Sequence, residues 1–153
     1  MLNLILSLIY AYIACVGFGI IFHLRGKMLF ITPIGGVLLW AVYLLLEGSV
    51  ESVIARSLIA TMVAAVFSES VARIMKIPVT LFMIIAILPL VPGSGIYYTM
   101  LACIASDWAQ FAAKGLETIG IAGAIAVGML LVSSIFRIAT DIHKYLKNKK
   151  LIQ

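Results

Sequence analysis

The sequence predicts an all-α integral membrane protein of five transmembrane helices, the fourth broken near its middle by proline and glycine. Three observations carry that expectation. First, 64% of the 153 residues are apolar and only 11% are charged, with a mean hydropathy of +1.20. A soluble domain of this size cannot cover so much apolar surface. Second, the charged residues divide the chain into apolar runs of roughly 20 residues, the length of one crossing of a ~30 Å hydrocarbon core. Third, Leu88-Pro89-Leu90-Val91-Pro92-Gly93-Ser94-Gly95-Ile96-Tyr97-Tyr98 sets two prolines and two glycines inside a lipid-soluble run. Proline removes a backbone donor and clashes with the carbonyl four residues back, and glycine turns where other residues cannot, so a helix entering this stretch breaks.

Residues 1–153 form a single membrane domain, because five spans leave no room for a soluble or nucleotide-binding module. The first span covers about 2–22, with no charge before Arg25 and with Gly17 and Gly19 available for close packing. Met1-Leu2-Asn3 lacks the basic residues that open a signal peptide, so this run is kept as an uncleaved span. The basic turn His23-Leu24-Arg25-Gly26-Lys27 leads to a second span at about 28–46. Pro33 falls in its first turns, where proline is tolerated, and Gly35-Gly36 marks a kink or a close neighbour. An acidic loop, Glu47-Gly48-Ser49-Val50-Glu51, precedes the third span at about 52–75.

That span carries Arg56 near its start and Glu69 near its end, about 20 Å apart along a helix, too far to pair with each other. An acid inside a span costs ~2.5 to 3.5 kcal/mol on insertion scales and is a functional candidate by default. Glu69 also lies at i,i+4 from Arg73, so proton coupling and a structural ion pair both fit it. Arg56 either snorkels outward past Glu47 or Glu51 or serves a substrate. The fourth span, about 77–105, is half as long again as a straight crossing needs, and its break falls near 89–95. Counted from Pro78, Pro89 lies about 17 Å along a helix, near mid-bilayer.

Residues 106–117 mix charge with Trp108 and Phe111 as an interfacial segment does. The fifth span, about 118–138, has small-xxx-small spacing at Gly120, Ala124 and Gly128, a face open to packing within the chain or between subunits. The basic tail, 139–153, serves as a topology anchor in contact with anionic lipid. Nine of the eleven basic residues lie in the first loop, the third loop and the C-terminal end from Arg137 on. Lys and Arg are retained in the cytoplasm, which places the N-terminus outside and the C-terminus inside a bacterial cytoplasmic (inner) membrane.

Catalytic constellations do not stand out. Cys15 and Cys103 are far apart in apolar surroundings, His23 and His143 lie in basic segments, and the chain has no HExxH, GxSxG or phosphate-binding loop. The expectation is a protein that is not an enzyme, with no metal, no cofactor and no nucleic-acid partner. The broken span carries the sharper chemistry. A half-helix starting near Ile96 points free N–H groups and the positive end of its dipole into the membrane, a geometry suited to a carboxylate. The candidate substrate-binding residues are Pro89, Pro92, Gly93, Ser94, Gly95, Tyr97 and Tyr98, with the Ser94 hydroxyl and the two phenols around a small polar solute. A proline kink packed between helices, with the tyrosines at an interface, is the competing structural explanation.

The run Ile87-Leu88-Pro89-Leu90-Val91-Pro92-Gly93-Ser94-Gly95-Ile96-Tyr97-Tyr98-Thr99-Met100, with Gly17-Phe18-Gly19-Ile20-Ile21-Phe22 before a basic turn, resembles the threonine/serine exporter family. More closely, it is similar to the short five-span component of the two-subunit form, the YjjB-type subunit. The resemblance covers essentially the whole chain, and Pro89, Pro92, Gly93 and Tyr97 match its motif while Ser94 sits where the motif is open. It implies a secondary exporter of small amino acids or of dicarboxylates such as succinate, driven by the proton gradient. It also implies a longer partner subunit supplying five more spans and a soluble region. The alternative class is a membrane scaffold or assembly protein that holds a partner through its small-residue faces.

Overall fold

The computed structural model describes residues 2–150, and within them the side chains of Leu2, His143, Lys144 and 146–150 are not described. The lipid contact expected of the basic tail lies on those residues, outside the described ones. Every regular element among the described residues is helical: α1 (Leu2–Ile21), α2 (Met28–Leu45), α3 (Val53–Met75), α4 (Val79–Ile87), α5 (Gly93–Ile104) and α6 (Trp108–Lys150). Short 3₁₀ turns at Leu46–Gly48 and Leu88–Leu90 extend α2 and α4. Helices α1, α2, α3 and α6 are each long and apolar enough to cross a membrane. The α4 and α5 segments, bent by 53° at a short break, make the fifth span when taken together.

Local chemistry explains most boundaries. The turn after α1 uses left-handed residues at His23 (φ 59°) and Gly26 (φ 62°), and the Leu24 N–H returns to the Gly19 carbonyl at 2.9 Å. Ser52 caps α3, its hydroxyl accepting from the Ala55 N–H at 3.3 Å. Lys76, left-handed at φ 56°, ends that helix, and Pro78 two residues on cannot continue it. One boundary departs from expectation. The stretch 106–117, expected as an interfacial linker, is helical from Trp108, ten residues before 118, and α6 runs 43 residues. The Asp107 carboxylate accepts the Gln110 N–H at 3.0 Å as a cap, Lys114 pairs with Glu117 at 2.9 Å, and no proline follows Pro92 to interrupt the run. Mixed charge and tryptophan mark an interface; they do not stop a helix.

Helices α3 and α6 run side by side in the same direction. A Cβ on Gly120 would meet Ile54, one on Gly128 would meet Leu58 and Thr61, and Arg73 donates to Thr140 and to the Phe136 carbonyl further along. The small-residue face of α6 therefore seats α6 on α3 within one chain. Helix α2 lies antiparallel to α3, with Gly35 against Phe67 and Tyr43 under the Arg56 guanidinium at 5.1 Å. The core is Leu39, Ala60, Ala64, Ala86, Leu90 and Ile125, contributed by α2, α3, the α4 segment and α6. Alanines on α3 let the helices approach closely, as membrane packing requires. Helix α5 pairs chiefly with α6 as an antiparallel hairpin, with Gly95 against Thr118 and Gly115 against Thr99.

Candidate functional site

The break is produced residue by residue. Pro89 has no N–H for the Ile85 carbonyl, and Pro92 has none for the Leu88 carbonyl. Both freed acceptors find other donors. The Leu88 N–H turns back to Ile85 in 3₁₀ fashion, and the Cys15 thiol of α1 donates to the same carbonyl at 3.6 Å. The Val91 N–H donates to Leu88 at 3.2 Å. Irregular backbone in an apolar setting is tolerated when re-satisfied in this way or when it lines a cavity, and the break is both re-satisfied and cavity-lining. Helix α5 restarts at Gly93 with no side-chain cap. Its first backbone bond of helical type runs from Ile96 to Pro92 at 3.1 Å. The N–H groups of Ser94 and Gly95 lie at the positive end of the new helix.

A cavity of about 400 Å³ opens at this restart. The broken segment supplies Pro89, Leu90, Val91, Pro92, Ser94, Gly95 and Tyr98; α2 supplies Trp40 and Tyr43; α3 supplies Val53 and Ser57; α6 supplies Lys114, Glu117, Thr118 and Ile121. Trp40 and Tyr43 stack with centroids 5.5 Å apart, forming a flat aromatic wall. Across from them Lys114 and Glu117 present opposite charges 2.9 Å apart. The hydroxyls of Ser57 and Thr118 donate to the carbonyls one turn back, Val53 at 2.8 Å and Lys114 at 2.7 Å; Thr118 keeps its lone pairs to accept, while Ser57 is fully buried. Behind the wall residue Tyr43 sits a charge with few partners. Arg56 is 9% exposed, its Nη1 lies 3.8 Å from Glu47, and neither Nε nor Nη1 makes a hydrogen bond. Glu47 lies on the outward side expected of a snorkelling arginine, at ion-pair rather than hydrogen-bond distance.

Of the residues singled out from sequence, Pro89, Pro92, Ser94, Gly95 and Tyr98 line this cavity. Gly93 and Tyr97 flank it. A Cβ on Gly93 would meet nothing within 4 Å, and Tyr97 is 63% exposed, edge-on to Tyr98. Glu69 lies elsewhere, in a second cavity of about 530 Å³ between α3, α4 and α6, with Arg73, Ser133, Ser134, Arg137, Thr140 and Asp141. Its carboxylate pairs with Arg73 at 3.4 Å, and its side chain is 9% exposed. Sequence alone did not join Trp40, Tyr43, Ser57, Lys114, Glu117 and Thr118 to the break. The available signals were helical spacings: Trp40 with Tyr43 at i,i+3, and Lys114 with Glu117 and Thr118 at i,i+3 and i,i+4. Among the described residues no group of three or more His, Cys, Asp or Glu could hold a metal ion.

A multi-pass α-helical membrane protein with a broken span opening onto a small, two-signed polar cavity is built as a carrier of small solutes. Residues 7–135 match the family model described as Threonine/Serine exporter, ThrE, and the chain belongs to that family. The family is one of transporters rather than of enzymes, and its members act on small solutes. No curated protein and no solved structure matches the chain.

Proposed function

We propose that this chain is a subunit of a secondary exporter for threonine and serine, with its solute site in the cavity at the helix break. The observation that carries this is the pairing of opposite charges with unoccupied donors around one small space. A hydroxy amino acid brings a carboxylate, an ammonium and a hydroxyl. The Ser94 and Gly95 N–H groups and Lys114 answer the first, Glu117 the second, and the lone pairs of Thr118 the third. A dicarboxylate such as succinate would satisfy the cationic side and meet Glu117 with like charge, so this site favours the zwitterion.

The exporter works with a longer subunit of the same family in the bacterial cytoplasmic membrane, with the N-terminus outside and the C-terminus in the cytoplasm. Supporting the partner, the hairpin of α5 and the start of α6 exposes Met100, Ile104, Trp108 and Leu116 by more than half while packing chiefly on itself. Transport is driven by the proton gradient, and Glu69, mostly buried beside Arg73 and open to the second cavity, is the candidate proton carrier. The scaffold alternative draws on small-residue faces; that of α6 at Gly120 and Gly128 seats on α3, while Gly17 of α1 faces open space.

The test is efflux of labelled threonine, serine and succinate from cells lacking their own exporters, with this chain expressed alone and with the partner encoded beside it. Threonine and serine efflux that needs both chains, and that Glu117→Gln reduces, supports the proposal. Equal efflux of succinate from the Glu117 wild type removes the zwitterion assignment. No efflux from inserted, paired protein favours a scaffold.

A further inference from the structure

The two cavities lie at opposite ends of α3, Ser57 in the wall of one and Glu69 in the wall of the other. Twelve residues of helix separate them, about 18 Å. Between them α3 carries an unusual row. Ser57, Thr61 and Ser68 fall within roughly 40° of one another at about 100° per residue, and all three are fully buried at 0% exposed. Ser57 bonds back to its own helix, but the hydroxyls of Thr61 and Ser68 have no partner. Thr32 on α2 is also buried at 1% with an unpartnered hydroxyl. The antiparallel register that sets Gly35 against Phe67 brings Thr32 to the level of Ser68. A buried hydroxyl left unpaired costs about 1 to 3 kcal/mol, and such groups in a native interior call for an occupant or a role.

The row is closed at more than one level: Ala60 and Ala64, on the same side of α3, pack in the apolar core with Leu39, Ala86 and Ile125. A Cβ on Gly128 of α6 would lie 3.2 Å from both the Leu58 carbonyl and the Thr61 Cβ, so the Gly128 backbone lies directly against α3 there. The α6 surface along this contact is small: Gly120, Ala124 and Gly128. Parting the helices here lifts Ile54 off Gly120 and Thr61 off Gly128, a small shear of one packed helix on another.

We propose that Ser57, Thr61 and Ser68 line the route by which a small polar solute passes between the two cavities, closed in this structure by the Thr61–Gly128 contact and by Ala60 and Ala64 packed on Leu39, Ala86 and Ile125. This rests on the exporter function proposed above. The hydroxyls unpartnered in the closed state hydrogen-bond the solute, or the water that accompanies it, when α6 moves off α3. The route thereby connects the two-signed cavity at the break with the charged cavity holding Glu69, Arg73 and Arg137.

Two measurements on the full chain with its partner test this. In the first, Thr61→Val keeps the shape and removes the hydroxyl. Efflux of labelled threonine is expected to fall at least tenfold while the amount inserted and the melting temperature stay level or rise, since no hydrogen bond is lost. In the second, Thr61→Cys is placed in a Cys103→Ala background, with Cys15 buried at 1% exposed as the baseline. A small water-soluble methanethiosulfonate is expected to modify it, more slowly under saturating threonine, while lipid-facing Val63→Cys stays unmodified. Wild-type efflux from Thr61→Val together with an inert Thr61→Cys overturns the route and leaves the exporter function standing. A wild-type pair that moves no threonine, serine or succinate overturns the exporter function and the route with it.

Discussion

Two segments of this chain carry a proline with a neighbouring pair of glycines, and only one of them breaks its helix. In α2, Thr32-Pro33-Ile34-Gly35-Gly36 continues as helix from Met28 to Leu45. In the fourth span, Leu88 to Gly95 ends one helix, bends the chain by 53° and starts another. The difference lies in how many bonds are lost and what surrounds them. Pro33 withholds one donor, from Leu29, and is itself buried, with both glycines pressed against neighbours. Pro89 and Pro92, three residues apart, withhold two donors from consecutive turns, and the 3₁₀ bonds that replace them cannot propagate an α-helix. Proline and glycine are therefore packing devices in one segment and a site-building device in the other.

The largest expected effect tests the packing side. A Cβ on Gly36 would lie 2.5 Å from the Cys15 sulfur and 3.4 Å from the Pro89 ring, so α1, α2 and the break meet there. Gly36→Val should cost about 3 kcal/mol or more by overpacking, read as loss of folded protein after extraction. Gly93→Ala supplies the opposite sign. Its Cβ enters open space, and replacing a helical glycine by alanine stabilises by about 0.5 to 1 kcal/mol. Equal behaviour of the two variants in a thermal melt would remove the distinction between the segments.

Next comes the break itself. Pro89→Ala with Pro92→Ala restores two backbone donors, and α4 and α5 should then run on as one straighter helix. Efflux is expected to drop more than tenfold with stability unchanged or raised. Distances between spin labels on α4 and α5 should lengthen as the bend relaxes. Pro33→Ala should leave efflux intact, because α2 is already continuous. Loss of efflux from the Pro33 variant alone would assign the functional bend to the wrong segment.

These predictions also show where the sequence was legible. The spans, the bend near Pro89–Gly95 and the Glu69–Arg73 pair follow from hydropathy, proline chemistry and i,i+4 spacing, all of which act within a few residues. The cavity walls are different. Ser57 and Thr118 come together because α3 and α6 run parallel in a register set by Gly120 on Ile54 and Gly128 on Thr61, a relation between residues more than sixty apart. The start of α6 was hidden for another reason. An aromatic and charged segment reads as interface whether or not it is helical, and only the Asp107 cap separates the two.

A smaller effect is expected at the α5–α6 contact. Gly95 abuts the Thr118 side chain, both in the cavity wall. Gly95→Ala should push Thr118 off its bond to the Lys114 carbonyl and reduce efflux several-fold, with a change in melting temperature smaller than that of Gly36→Val. Combining it with Thr118→Ala, which removes the hydroxyl that the new Cβ would meet, should restore the melting temperature. Failure of that rescue would mean that Gly95 acts through the α5 backbone and not through its neighbour.

The smallest effect bears most directly on how a broken helix is kept inside an apolar bundle. Cys15 is 1% exposed, and its thiol reaches the carbonyl that Pro89 leaves without its α-helical donor. A thiol is a weak donor, and the Leu88 N–H shares the same acceptor. Cys15→Ala should therefore cost only about 1 to 2 kcal/mol, combining a lost weak hydrogen bond with a small cavity. Cys15→Ser separates the two contributions. It is smaller than cysteine but a stronger donor, so it should lie closer to wild type than alanine does if the carbonyl is the reason for the residue. Applied to the Pro89→Ala background, the Cys15→Ala change should lose much of its effect, because the backbone N–H restored at position 89 would then serve Ile85 from within the helix. An undiminished Cys15→Ala effect in that background would make Cys15 a packing residue against Gly36, placing it with the α2 segment instead of with the break.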